Sequence, residues 1–172
     1  MLERLNLSWC HSLVGIHPSI GQLSKLKYLL LNGCRSLTVL PCMFAVMQSL
    51  TVLELARCSK INSFPKFTGI MKNLSKLNLS WTSSIAIKKV PPSLIKCLTA
   101  LTFLDLTRTN LECLPSNMDN LRSLQILSQW LPYDERRNQK EFTMLFHFLQ
   151  VISSLSLSLS LSLSLSLSLI VK

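Results

Sequence analysis

Glycine is scarce in this chain, which has only four among its 172 residues. Gly15, Gly21, Gly33 and Gly69 stand far apart, and the phosphate-loop pattern GxxxxGK[ST] does not occur. A phosphate loop needs closely spaced glycines so that backbone amides can surround the anion. We therefore expect neither a nucleotide site nor a bound cofactor or other small molecule.

Acidic residues are the second deficit, with 8 Asp and Glu against 18 Lys and Arg and a formal net charge of +10. Residues 1–124 alone contain 14 Lys and Arg against five acids. A basic surface can meet an acidic protein or nucleic acid. No cluster of basic residues alternates with stacking aromatics, as nucleic-acid modules require. We therefore expect a protein partner and no nucleic acid.

Patterns that carry catalysis or metal binding are also missing. Cys42, Cys97 and Cys113 lie on return segments without CxxC or Cys/His pairing, and nothing in the sequence offers four converging ligands, so we predict no metal site. No Ser/His/Asp or Cys/His arrangement stands out, so we predict no catalytic residues and no enzymatic activity. Cys10, Cys34 and Cys58 recur every 24 residues, which favours reduced thiols in a core. The N-terminal MLERLNLSWC shows no secretory signal, and we expect a cytoplasmic or nuclear protein.

Leucine, in contrast, is abundant and regularly spaced. Each of the first five units starts with LxxLxL, and Cys or Thr follows three residues after the third leucine. The unit starts, at steps of 24, 24, 24, 27 and 23 residues, are Leu2, Leu26, Leu50, Leu74, Leu101 and Leu124. A unit of this kind has one apolar side and can bury it only against another copy. The repeats therefore predict a solenoid with one strand per coil.

The segments that connect the strands have their own anchors. Four of the first five units have proline nine residues before the next start, where the first unit has His17. Proline has no amide to give to a strand ladder, so these segments form the return side. We predict short helical or 3₁₀ turns near residues 43–49, 94–99 and 117–122. The expected fold is an α/β solenoid with a curved parallel sheet.

The register fails after Leu124, because Gln129 stands where a third leucine is expected. We predict a repeat domain of about five uncapped coils over residues 1–128, with open apolar edges around Leu5 and Leu127. Residues 129–172 form a non-repeat tail, in which 154–169 are eight Ser-Leu pairs. A CT dinucleotide run in DNA is translated as Ser-Leu, so the tract resembles a translated microsatellite. Half of its residues are hydroxylic, so no membrane segment is expected.

The pattern LxxLxLxxC/TxxLxxLPxxIxxLxxL carries a family likeness. Together with LNGCRSLTVLP and LTRTNLECLP, it resembles the leucine-rich repeats of plant intracellular immune receptors, especially those with an N-terminal TIR domain. Cys or Thr after the third leucine is the distinguishing feature, since extracellular plant repeats usually have Asn there and a GxIP segment. The likeness covers roughly residues 1–128, and no part of the family's nucleotide-binding switch domain is present in this sequence.

The resemblance implies a leucine-rich-repeat solenoid whose function is to bind protein in plant defence signalling. The partner would be a pathogen effector, a host protein that the effector modifies, or the receptor's own switch domain. A rival hypothesis is a freestanding intracellular leucine-rich-repeat scaffold that binds a signalling protein. Such scaffolds tend to have complete caps and Asn at the Cys/Thr position, and this chain has neither.

Candidate partner-binding residues lie between the strand leucines, which predicts a concave face on which they form rows across successive coils. Exposed Trp, Tyr and Arg are common anchors of protein interfaces. The candidates are Trp9, Tyr28, Arg57, Lys76, Trp81, Phe103 and Arg108. A competing interpretation is that Arg57 and Arg108 only cover neighbouring tryptophans as cation-π pairs within the protein.

Overall fold

The structure is a computed structural model that describes residues 2–41, 47–67, 69–83, 90–112, 114 and 117–129. In these residues, six short parallel strands form one sheet whose spatial order follows the chain order. The strands are β1 (Arg4–Asn6), β2 (Tyr28–Leu30), β3 (Val52–Glu54), β4 (Lys76–Asn78), β5 (Phe103–Leu106) and β6 (Ile126–Gln129). Each strand therefore belongs to one coil and pairs with the strands of the coils beside it.

The register aligns equivalent positions of successive repeats. The middle leucines pair in the order Leu5, Leu29, Leu53, Leu77, Leu104 and Leu127. Leu29, Leu53 and Leu77 are fully buried. Leu5 is only partly buried, because the first coil has a neighbour on one side only. The predicted leucine row is thus confirmed, and the chain has the fold of a leucine-rich-repeat solenoid.

Among the described residues, the return side contains short helical segments at three places. A 3₁₀ helix spans Pro18–Gln22, helix α1 spans Pro92–Cys97, and a second 3₁₀ helix spans Met118–Asn120. The last two confirm the predicted turns near 94–99 and 117–122, although α1 begins two residues earlier. It does so because proline fits the first turn of a helix, where its missing amide is not needed. The turn predicted near 43–49 lies mostly outside the described residues.

The sheet continues one strand beyond the last complete leucine triplet. β6 pairs with β5 from Phe103↔Ile126 to Leu106↔Gln129. Leu127 is 6% exposed, so the open apolar edge expected there is wrong. Strand pairing needs only the backbone, so β6 forms and Leu127 extends the leucine row even though Gln129 replaces the third leucine.

Side-chain hydroxyl groups form hydrogen bonds between coils just before strands β3, β4 and β5. The Oγ1 of Thr51 donates to the Lys27 carbonyl at 2.9 Å, the Oγ of Ser75 to Thr51 at 3.2 Å, and the Oγ1 of Thr102 to Ser75 at 3.0 Å. Each bond joins one coil to the coil before it. The repeats are therefore tied by side chains as well as by strand pairing.

Within the part of the chain that the structure describes, no helix has the length and apolar character to span a bilayer. The Ser-Leu tract at 154–169 and the rest of the predicted tail beyond Gln129 lie outside that part. The proposed division into a repeat domain and a tail stays a prediction.

Candidate interaction surface

The sheet face opposite the buried leucines, predicted to be the concave one, is called here the open face. Its most prominent row lies just beyond the strands, where each of the first five coils has a described residue with a positive φ. The φ angles are 66° at Trp9, 73° at Gly33, 61° at Arg57, 61° at Trp81 and 55° at Arg108. The amide of each of the first four donates at 2.7–2.8 Å to a carbonyl of the next coil. This sheet-to-turn bond holds the row in line.

The left-handed backbone conformation, and not alternation with the strand leucines, exposes the side chains of this row. Trp9 follows Leu7 by two residues, so a continued strand would place its side chain on the leucine face. The strand ends at Asn6, and the positive φ redirects the chain. Trp9 is 51% exposed and Trp81 is 44% exposed as a result. For bulky residues such a conformation costs roughly 1 kcal/mol or more, which the inter-coil hydrogen bonds offset.

Trp81 lies between two arginines that flank it along the row. The Arg57 guanidinium carbon is 5.4 Å from a ring centroid of the indole, and that of Arg108 is 4.3 Å from it. Arg57 comes from the coil before Trp81 and Arg108 from the coil after it. The competing cation-π contacts are therefore present, and all three side chains remain exposed. At exposed sites such a contact contributes only about 0.5–1 kcal/mol.

Cations cover aromatics in the strand row as well. The Arg4 guanidinium carbon is 4.5 Å from the Tyr28 ring centroid, and the Lys76 ammonium is 5.0 Å from that of Phe103. Lys76 also forms an ion pair with Glu54 at 2.8 Å. Tyr28, Lys76 and Phe103 are partly buried rather than exposed. These three candidates form the floor of the open face, while the Trp9 row stands beside them.

Trp9 packs on the turn of the next coil. A Cβ atom at Gly33 would be 2.3 Å from Cε3 of Trp9, so the indole occupies the space that a side chain at position 33 would need. The His11 ring meets the indole edge-on, with centroids 6.1 Å apart, and its Nδ1 lies 3.1 Å from the Gly33 carbonyl. His11 is thereby part of the turn, and the arrangement fixes the position of Trp9.

Asn and Asp side chains brace the turns that carry the row, a role that the sequence pattern did not reveal. The Oδ1 atoms of Asn6, Asn78 and Asp105 accept from the amides of Ser8, Ser80 and Thr107 at 2.9–3.0 Å. The third coil has Glu54 at this position, and there the Ala56 amide donates to Asn32 of the preceding coil at 3.0 Å. The signal for this role was an Asx residue two positions before a small polar one.

The cysteines and threonines that lie three residues after the third leucine of a unit donate hydrogen bonds to different coils. The Cys34 and Cys58 thiols donate to the carbonyls of Leu7 and Leu31 in the preceding coil, at 3.1 and 3.0 Å. The Thr82 and Thr109 hydroxyls donate within their own coil, to Leu79 and Leu106, at 2.6 and 2.8 Å. Cysteine therefore links coils, whereas threonine closes its own turn.

Burial controls the chemistry of these thiols. It raises the pKa of Cys58 from its ordinary 9.0 to about 12, and it also raises the pKa values of Cys34 and Cys97. Cys10 is exposed, so the expectation of a core position is wrong for it, because no preceding coil covers the first one. The four cysteines among the described residues, Cys10, Cys34, Cys58 and Cys97, are free thiols.

The described residues contain no group of three His, Cys, Asp or Glu side chains placed to hold a metal ion. His17 caps the first 3₁₀ helix by accepting from the Ser19 amide at 3.2 Å. The two described histidines, His11 and His17, thus both form hydrogen bonds at turns. The third histidine, His147, lies outside the described residues.

No family model matches the chain, and no curated protein matches it either. Among solved structures, the chain is similar to a leucine-rich-repeat protein of Leptospira interrogans, with 22% identity and a TM-score of 0.48. The match covers 75% of this chain and 37% of that protein, so the chain spans well under half of its length.

Proposed function

We propose that the chain is a protein-binding leucine-rich-repeat module whose partner contacts the open face. The observation that carries the proposal is the row of Trp9, Arg57, Trp81 and Arg108, which keeps large apolar and cationic side chains exposed on consecutive turns. Bulky residues in left-handed conformations oppose folding. A fold under no demand for these side chains would favour glycine at each turn, as at Gly33.

The finer proposal rests on the repeat pattern. Cys or Thr at the turn and proline on the return segments resemble plant intracellular immune receptors with a TIR domain, so we place the module in cytoplasmic or nuclear defence signalling. The partner is then an effector, a host protein that the effector modifies, or a switch domain. Genomic sequence upstream of Met1 tests this part: a continuous frame with a phosphate-loop domain is expected, and its absence favours the freestanding scaffold.

Site-specific photocrosslinking tests the open face itself. The full chain would carry benzoylphenylalanine at Phe103, which is a conservative change in the floor of the face. A matched chain would carry it at Ile70, which is 50% exposed on the return side. In extract from plant cells, a discrete adduct is expected from position 103 and not from position 70. Adding Trp81→Ala should remove the adduct. Equal adducts from both positions, or an adduct insensitive to Trp81, would contradict the proposal.

A further inference from the structure

Cys10 and Cys34 occupy the same position in the turns of the first two coils, three residues after the third leucine. The Leu7 carbonyl joins them, because it accepts from the Cys10 amide at 3.2 Å and from the Cys34 thiol at 3.1 Å. The Cys34 side chain thus crosses from its own coil to the preceding one. Its sulfur points into the turn that contains Cys10.

The spacing of the coils suits a covalent bond between the two sulfurs. Equivalent positions on neighbouring strands lie about 4.8 Å apart, and disulfides join residues whose Cα atoms are about 4.4–6.8 Å apart. The Trp9 amide donates to the Asn32 carbonyl at 2.7 Å, so the two coils stay side by side as far as these turns. Burial raises the pKa of the Cys34 thiol, and the Cys10 amide acts on it in the opposite direction. This influence is a second indication that the two residues are neighbours.

The two thiols differ in their access to solvent, since Cys10 is exposed and Cys34 is fully buried. Cys34 and Cys58 repeat the same arrangement one coil further on. There the Cys34 amide and the Cys58 thiol both donate to the Leu31 carbonyl, at 3.2 and 3.0 Å. Both sulfurs of this second pair are buried. A dissolved oxidant can therefore reach the first pair through Cys10, whereas both thiols of the second pair are shielded from it.

We propose that Cys10 and Cys34 are a peroxide-responsive pair that closes to a disulfide between the first two coils. The Cys10 thiolate attacks hydrogen peroxide, so that an S–O bond forms and the O–O bond breaks. The departing hydroxide takes up the proton that the thiol released and becomes water. The Cys34 sulfur then attacks the sulfenic acid, so that the S–S bond forms and the S–O bond breaks. The Cys34 proton and the second hydroxide give another water, and peroxide has accepted the two electrons that the thiols lose.

This bond secures the first coil, which has a neighbouring coil on one side only. The disulfide closes a loop of one 24-residue repeat, and such a loop restricts the unfolded chain. The residues directly before the two cysteines are Trp9 and Gly33, which pack against each other. In the oxidised chain the turn that presents Trp9 on the open face is therefore held covalently to the second coil. Reduction by a dissolved thiol releases it.

The test treats the full chain, diluted to suppress links between molecules, with a small excess of hydrogen peroxide at about pH 8. The remaining thiols are blocked with iodoacetamide, and the chain is denatured and digested with trypsin without reduction. Each of the six cysteines lies in its own tryptic peptide, so mass spectrometry identifies any linked pair. A link between peptides 5–25 and 28–35 is expected, and dithiothreitol should remove it. The oxidised chain should also melt about 5 °C or more above the reduced chain.

Cys34→Thr is the informative variant, because threonine already stands at this position in the fourth and fifth coils. It should form no link and lose the peroxide-dependent rise in melting temperature, and Cys10→Ser, at an exposed position, should behave in the same way. The matched control Cys58→Thr removes another buried thiol and should keep both the link and the rise. A link between Cys34 and Cys58, a dimer joined through Cys10, or Cys10 oxidised to sulfinic acid beside a free Cys34 would overturn the inference. So would a melting temperature that stays unchanged or falls when the link forms.

Discussion

The indole ring of Trp9 occupies the space beside Gly33 in which the Cβ of any other residue would stand. Gly33 itself has a φ of 73°, which glycine adopts without steric cost. Two separate requirements therefore meet at position 33, one from its own backbone and one from the neighbouring coil. They can be separated by experiment.

We expect Gly33→Ala to lower the free energy of unfolding in urea. The backbone conformation alone should cost about 1 kcal/mol, and displacement of the indole should add to it. In a Trp9→Ala background the same substitution should cost only the backbone part. A double-mutant cycle with no coupling between positions 9 and 33 would contradict the packing described here.

Leu53→Ala should destabilise the chain by about 2–5 kcal/mol, because a fully buried leucine leaves a cavity between two packed coils. The control is Val39→Ala, since Val39 is 57% exposed and should lose little. Thermal unfolding by circular dichroism measures both. An unchanged melting temperature for Leu53→Ala would show that the leucine register is wrong.

The register of the sheet was predictable because burial acts on every leucine in the same way. The turn conformation was not predictable, because the row contains Trp, Gly and Arg. These residues share a positive φ angle but no chemical property that a sequence pattern could show. The cation-π contacts were foreseen as an alternative and are present. The partial burial of Tyr28 and Phe103 depends on which cation covers them, and the leucine spacing contains no information on that.

Cys58 should make stability fall at high pH. Because burial raises its pKa to about 12 from an ordinary 9.0, the folded state binds the proton more tightly than the unfolded state does. Its contribution to stability is fully present below pH 9 and is lost as the pH rises from 9 towards 12. Cys58→Ala should flatten this dependence in urea unfolding curves. An identical pH slope in the two proteins would refute the assignment.

Thiol reactivity provides an independent measurement of the same burial. In the native chain, Cys10 should react with iodoacetamide well before Cys34 and Cys58, which are buried and have raised pKa values. Peptide mapping by mass spectrometry after brief alkylation reads out each site. Equal labelling of all three would mean that the coils open readily.

Thr82→Val should cost about 1 kcal/mol or more, because the buried hydroxyl donates to the Leu79 carbonyl at 2.6 Å and valine has nearly the same shape. Thr109→Val should cost less, since the Leu106 carbonyl also accepts from the Thr109 amide at 3.3 Å. Chemical unfolding of the two variants gives the comparison. The reverse order would show that the side-chain bond does not close the turn.

The left-handed turn on the open face restricts which recognition residues this solenoid can acquire. Proline cannot serve there, since its φ is fixed near −65° and the amide at this position donates to the next coil. Branched Val, Ile and Thr are strongly disfavoured at positive φ. Unbranched side chains such as Arg, Trp or Asn remain available, at a folding cost that glycine avoids. Mutation can therefore introduce only some amino acids at these turn positions, and each gain of a binding side chain there is also a small loss of stability.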